Sequence, residues 1–404
     1  MNGNKYTRVP YATTSHGKEE IDAVVEVLST STQMGKKTFE FEEKCASAFS
    51  KKYGAMVNSG SSALFLAVEA MDLPHGSEVI TPVLTFATTV GSIIKAGLTP
   101  SFVDVEPNSY NIDAKKVREM ITERTKAMVI PNLMGNFPDW TLLKEVADEN
   151  NLMILEDSAD VIGARYKGKK SGYYSDITIS SFYGMHVINC AGNGGIVCVN
   201  NKELLDKIKL LRSWGRSSSL FDDSEAIENR FNVSLDNIQY DAKFVFEKVG
   251  YNLEGSELGA AFGLEQFKKL DRFLDNRRKV AKSHLDYFSK FSDWVDLPVQ
   301  NEDAETIWFA FPMIVKESAP FSRTDIQTFL EKRNIQTRVV FTGNILRQPG
   351  FKDCKCVKAP EGYPNADRVM KQGFLIASHH AMSDEMTKHL YNTLDEFFGS
   401  FKAK

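Results

Sequence analysis

The stretch ISSFYGMHVINCAGNGGIVCVN, residues 179–200, decides how the chain is read. A run of β-formers stops at small and polar residues, a loop follows, and a glycine cluster leads into a second β-branched run, the pattern of two strands joined by a functional loop. A single histidine, His186, stands at the loop mouth. Working outward, the short β-rich runs EVITP (78–82), SFVDV (101–105), AMVIPNL (127–133) and LMILEDS (152–158) alternate with helical stretches such as SSALFLAVEAM (61–71) and DWTLLKEVADENN (139–151). Near the N-terminus, Ile21, Val24, Val25 and Leu28 recur at helical spacing. This alternation predicts an α/β domain built on a largely parallel sheet covered on both faces.

Beyond that domain, SELGAAFGLEQFKKLDRFLDNRRKVAKSHLDYFSKF (256–291) reads as one long helical segment able to bridge two domains. After it, strand-like FAFPMIVK (309–316) and IQTRVVF (335–341) alternate with helix-like SRTDIQTFLEKRN (322–334) and a terminal helix for which Ser383 is placed as N-cap. The division this predicts is a large domain over 1–284 and a smaller α+β domain over 285–404. A chain of 404 residues is long enough for two cores.

Composition excludes several function classes. A formal net charge of -4 with interspersed charges gives no footprint for nucleic acid or an anionic membrane. No apolar run has signal-peptide or membrane-spanning length, so a cytoplasmic protein is expected. The cysteines, Cys45, Cys190, Cys198, Cys354 and Cys356, form neither a disulfide framework nor a zinc spacing and read as reduced thiols, with no metal expected.

In an α/β sheet, ligands bind at the carboxyl ends of the strands. Four places qualify. In VNSGSSALFLA a strand stops at Asn58 and a helix starts near Ser62, so Gly60, Ser61 and Ser62 offer N–H groups and hydroxyls to a phosphate, or simply cap a helix. In LMILEDSADVIGA a strand delivers Glu156 and Asp157 to its end, where a carboxylate can pair with a cationic ring nitrogen or cap a loop. The opening stretch contributes Ser181, His186 and the glycines of GNGG. Tyr251 and Asn252 precede the long helix.

Together, MGKKTFEFEEKCASAFSKKYG, GSSALFLA, TPVLTFATT, LEDSADVIGA, SSFYGMH, GNGGIV and GYNLEGSELGAAFGLEQFKKL resemble the DegT/DnrJ/EryC1/StrS sugar aminotransferase family, fold-type I enzymes dependent on pyridoxal phosphate. The resemblance implies that Asp157 pairs with the pyridine nitrogen of the cofactor and that Gly60, Ser61 and Ser181 hold its phosphate. It implies that Phe86 stacks on the ring, and it places Asp160, on the same turn as Asp157, among the cofactor-binding residues. Asn252 is implied to reach the cofactor phosphate of a partner subunit, hence a homodimer with shared sites.

The family's cofactor-linking lysine falls five residues after the serine that Ser181 matches; this chain has His186 there. Imidazole has no primary amine, so the cofactor is expected to be held non-covalently. The same substitution marks the nucleotide-sugar 3-dehydratases, which PNLMGN, IWFAFPMIVK and FTGNILRQPGF also resemble. That branch uses pyridoxal phosphate as pyridoxamine phosphate and removes the C3 hydroxyl of a nucleotide-linked 4-keto-6-deoxy sugar, and in its cluster-free members acting on GDP sugars glutamate is the amino donor. In some members, cysteines after the WGR motif hold an iron–sulfur cluster; SWGRSSSLFDDSEAIENRF has none, so no cluster is expected. Gly184 and Asn193 depart from the family's usual proline and acidic residue. Arg338 and one of His379 and His380, with His380 preferred, are further substrate contacts, against a solvated arginine and a surface histidine pair. An aminotransferase that works without the lysine and a non-catalytic cofactor-binding homologue are the other readings.

Overall fold

A computed structural model describes residues 6–221 and 223–402. Its centre is a seven-stranded sheet in the order Tyr53–Val57, Gly195–Val199, Ile177–Ser181, Met153–Asp157, Thr125–Pro131, Glu78–Pro82 and Thr99–Val103. Parallel pairing runs from Ile177–Ser181 out to Thr99–Val103, while Gly195–Val199 is antiparallel to both its neighbours. The sheet is therefore largely parallel, as expected, with one strand reversed. Residues 182–194, which join it to Ile177–Ser181, hold only turns and bends and no crossover helix, so the chain doubles back beside the strand it has just left.

Both faces are covered, which is why the central strands are apolar throughout rather than alternating. One face packs Phe41, Ile80, Met128, Ile154, Cys198 and Leu264. The other packs Leu64, Leu66, Val129, Leu155, Val197 and Leu205. Helix Gly60–Ala70 starts two residues earlier than its sequence suggests, because Ser59 is the N-cap and its hydroxyl accepts the Ser62 N–H at 3.1 Å.

The expected single long helix is two, Glu257–Phe267 and Leu270–Phe288. The halves serve different surfaces. The first is buried nearly all round, with Gly259 and Gly263 letting it approach Cys190 and Phe41, whereas the second is amphipathic. Lys269 sits at the break, and its ammonium lies 2.7 Å from the buried Glu20. The division expected between residues 284 and 285 falls inside helix Leu270–Phe288, which runs from one domain into the other without interruption.

The second domain is a four-stranded antiparallel sheet, Val295–Asp296, Phe311–Val315, Gly373–Ile376 and Arg338–Val339 in that order. Helices Arg323–Glu331 and Asp384–Lys402 pack on it around Phe288, Phe311, Phe374, Leu394 and Phe398. Ser383 is a cap as expected, accepting the Met386 N–H at 3.1 Å. Val9 belongs to this core and pairs with Ile335, so the N-terminal segment crosses to the small domain.

A candidate cofactor and substrate site at the strand ends

The carboxyl ends of Tyr53–Val57, Glu78–Pro82, Thr125–Pro131, Met153–Asp157 and Ile177–Ser181 share one edge of the large sheet, and the start of Gly195–Val199 joins them because that strand runs the other way. A cavity of about 410 Å³ opens there. Gly60, Ser61, Phe86, Asp157, Asp160, Ser181 and His186 all line it. The seven come from four separate segments, so only the fold brings them together.

One wall is an anion cradle. The first N–H groups of helix Gly60–Ala70 have no intrahelical acceptor, and the positive end of the helix dipole points the same way. Gly60 is required there: a Cβ on it would lie 2.5 Å from the Cβ of Ser181. That close approach sets the Ser181 hydroxyl beside the helix start.

The floor is a carboxylate without a cation. Asp157 is buried, its Oδ1 accepts the Ala159 N–H at 3.2 Å, and its Oδ2 accepts the Thr89 hydroxyl at 3.2 Å. Burial pushes this carboxyl up to about 6 against those two donors. Among the described residues, none in the cavity wall neutralises it. A flat, protonated aromatic nitrogen would, and half-exposed Phe86 stands at the wall to cover the face of such a ring. A phosphate cradle, a cation-seeking carboxylate and an aromatic cover in one cavity fit pyridoxal phosphate.

Among the described residues no lysine lines the cavity. His186 occupies the wall instead, its ring 5.3 Å from that of Phe309 and its Nδ1 3.8 Å from Oδ1 of Asp160. Burial pushes the imidazole down to about 4, aided by Arg277 and opposed by the Ala159 carbonyl. Burial and the neighbouring Asp157 push Asp160 the other way, to about 7. The site thus holds a neutral imidazole beside a carboxyl that titrates near neutrality.

The structure does not bring Asn252, Arg338 or His380 to the cavity wall. Asn252 is exposed and bridges to Ser213. Arg338 lies over the Tyr11 ring at 5.5 Å, and Tyr11 does line the cavity, so the arginine sits at its rim. His380 does not line the cavity, and the histidine pair is buried rather than on the surface. Both rings are buried: His380 stacks on Phe273 at 4.0 Å, and His379 Nε2 is 3.1 Å from the Pro10 carbonyl. The strand end that carries them turns into the seam between the domains, behind Arg277 rather than into the cavity.

Sequence reasoning missed Tyr11, Thr89, Phe309 and Phe341, all in the wall. Thr89 is the last residue of the quoted TFATT, on a helix with its hydroxyl to Asp157, and was within reach; the others arrive from the N-terminal segment and the small domain and carry no local signal. Among the described residues no group of three or more His, Cys, Asp or Glu is arranged to hold a metal ion, and the five cysteines are free thiols. No helix of the described residues is long and apolar enough to cross a membrane.

The strand-end cavity and its cradle define a fold-type I pyridoxal-phosphate scaffold. The chain belongs to the DegT/DnrJ/EryC1/StrS aminotransferase family, matched over residues 14–395. It is 33% identical over 395 residues to the lipopolysaccharide biosynthesis protein RfbH of Salmonella typhimurium, covering 95% of this chain and 90% of that protein. It is 31% identical over 393 residues to the GDP-4-keto-6-deoxy-D-mannose 3-dehydratase of Yersinia pseudotuberculosis, covering 95% and 98%. Among solved structures it resembles GDP-4-keto-6-deoxymannose-3-dehydratase with a trapped PLP-glutamate geminal diamine, at 29% identity and a TM-score of 0.86, covering 96% of this chain and 100% of that one.

Proposed function

We propose that this chain is a pyridoxal-phosphate-dependent 3-dehydratase that converts a nucleotide-linked 4-keto-6-deoxyhexose to a 4-keto-3,6-dideoxyhexose with glutamate as amino donor. The observation that carries this reading is the composition of the cavity: a cofactor cradle with a neutral histidine and, among the described residues, no lysine in its wall. When bound, the cofactor in its amine form supplies a primary amine for the sugar ketone and a conjugated ring that accepts an electron pair.

The chain's own residues do the rest. Gly60, Ser61 and Ser181 hold the phosphate, and Asp157 keeps the ring nitrogen protonated, since a buried carboxylate favours the charged form of a cation beside it. Phe86 covers the ring. His186 is neutral at pH 7 and therefore accepts a proton, after which it is the acid available to the departing C3 oxygen. Arg338, at the rim, is placed for an anionic part of the substrate. The overall change balances: glutamate and the 4-keto sugar give 2-oxoglutarate, ammonia and the 3-deoxy sugar. The lipopolysaccharide-biosynthesis name of one relative supports a role in surface-polysaccharide and dideoxysugar biosynthesis, and with it our reading of a cytoplasmic enzyme.

Mass spectrometry of the protein incubated with pyridoxal phosphate, glutamate and a GDP-linked 4-keto-6-deoxyhexose tests the reading, with the CDP, UDP and dTDP sugars in parallel. A product lacking the C3 oxygen and carrying no nitrogen, formed with 2-oxoglutarate, is expected. An aminated product retaining that oxygen would replace it with a transaminase.

The active form we read as a homodimer. Between residues 214 and 251 the chain exposes Phe221, Ile227, Ile238, Phe244, Phe246 and Val249, an arm whose large apolar side chains a partner subunit would cover. Asn252 sits at the end of that arm and away from its own cavity, where a neighbouring subunit's cofactor phosphate is the ligand left for it. Sedimentation equilibrium should return twice the 45.3 kDa chain mass, and a monomer at micromolar concentration would remove the shared site.

A further inference from the structure

The two oxygens of Asp160 face different neighbours. Oδ2 accepts the Met134 N–H at 3.1 Å. Met134 is in the left-handed region, φ 63°, and the Gly135 that follows, φ 80°, approaches the chain so closely that a Cβ would lie 2.9 Å from the Phe309 nitrogen. The Met134 carbonyl in turn accepts the Phe309 N–H at 2.8 Å, and the Phe309 ring is the one against His186. One carboxyl oxygen thus pins the turn that sets the wall behind the imidazole.

The other oxygen, Oδ1, stands 3.8 Å from His186 Nδ1, a buried nitrogen with no hydrogen-bond partner. Leaving such an atom unpaired costs about 1–3 kcal/mol, and a small tilt of the ring closes the gap. We propose that Asp160 is a positioning residue for His186: it accepts the Nδ1–H and so leaves Nε2 as the nitrogen that takes up and returns the proton in the cavity. The pairing is a property of this chain alone and rests on the dehydratase reading only for what Nε2 does to a sugar.

The proton count follows. With Asp160 ionised and the proton on Nδ1, Nε2 carries a lone pair; a proton arriving at Nε2 gives imidazolium beside carboxylate, an ion pair in place of an isolated buried cation. The other charged and titratable groups around the pair are Asp157 on the same turn, Arg277 from helix Leu270–Phe288, Tyr11 from the N-terminal segment, and His379 and His380 behind Arg277. Arg277 donates from Nη1 to the carbonyls of Trp308, Phe309 and Ser378 and acts on Asp160 through its charge.

The test is nitrogen-15 NMR of the imidazole rings in the full-length protein, loaded with pyridoxal phosphate, with His186 assigned by the signal missing from His186→Asn. The expected result is the Nδ1–H tautomer for His186 at pH 8, with its ring still neutral at pH 7 and protonated only well below neutrality. In Asp160→Asn, which keeps an acceptor for the Met134 N–H, that protonation should fall by about one pH unit or more, because an opposite charge has been removed. An Nε2–H tautomer in the parent overturns the proposal by itself, even if the variant does not fold. Identical titrations in parent and variant also overturn it. Neither readout needs turnover, so a sugar assay that fails leaves this result standing.

Discussion

His186→Asn is expected to abolish loss of the C3 oxygen while leaving the cofactor bound. Asparagine fills a similar volume and is uncharged, as the parent imidazole is at pH 7, so the packing against Phe309 and the shape of the cavity are largely kept. It has no nitrogen that can accept a proton. General acid–base help of this kind is worth about 10²–10⁴ in rate, and the loss should fall in that range or below detection. Cofactor absorbance and equilibrium dialysis should show pyridoxal phosphate retained, because Asp157, Ser181 and the start of helix Gly60–Ala70 are untouched. Turnover equal to the parent would remove His186 from the chemistry. The companion His186→Lys restores a primary amine to the wall, and borohydride should then fix the cofactor to the chain, which it cannot do in the parent.

How far the sequence already carried this site depends on where each residue sits relative to its strand. Asp157, Ser181 and Gly60 lie directly at strand ends or at the helix start that follows one, so a local motif places them at the ligand edge whatever the rest of the fold does. His186 is likewise fixed by the short loop after Ser181. Tyr11 and Phe309 have no such local rule. Tyr11 reaches the cavity only because Val9 pairs with Ile335 across the small domain, and Phe309 only because Met134 takes a left-handed conformation that a non-glycine residue rarely adopts. Those are contacts between distant segments, invisible to periodicity.

The same distinction explains the residues that moved away. His380 looked like a strand-end residue of the kind that meets ligand, but strand Gly373–Ile376 belongs to the small antiparallel sheet, to which the parallel-sheet rule does not apply. Its ring found Phe273 instead. The break at Lys268–Lys269 was hidden because both flanking helices have good helix formers and no proline. What separates them is burial, all round on one side and amphipathic on the other, a property of packing partners rather than of propensity.

Asp157→Asn should cost cofactor affinity and turnover together, and the pH dependence of the parent gives an independent check on why. Without a cation beside it, the Asp157 carboxyl is held up at about 6, above the 3.8 of the free side chain. The folded state therefore binds the proton more tightly than the unfolded one, and the cofactor-free protein loses stability as pH rises between those two values, by roughly 3 kcal/mol at about 1.4 kcal/mol per pH unit. A protonated pyridine nitrogen reverses the sign, since it favours the ionised carboxylate. The gain in melting temperature on adding pyridoxal phosphate should accordingly be larger at pH 8 than at pH 5. Asparagine keeps the hydrogen bonds from Thr89 and Ala159 but holds no charge, so this extra gain should vanish. Removing one partner of a buried ion pair costs about 3–5 kcal/mol, which predicts a loss of at least 10²-fold in cofactor affinity. A variant that bound the cofactor as tightly as the parent, with the same pH-dependent gain in melting temperature, would mean that the ring nitrogen is held by some other group and that Asp157 is only the cap of its loop.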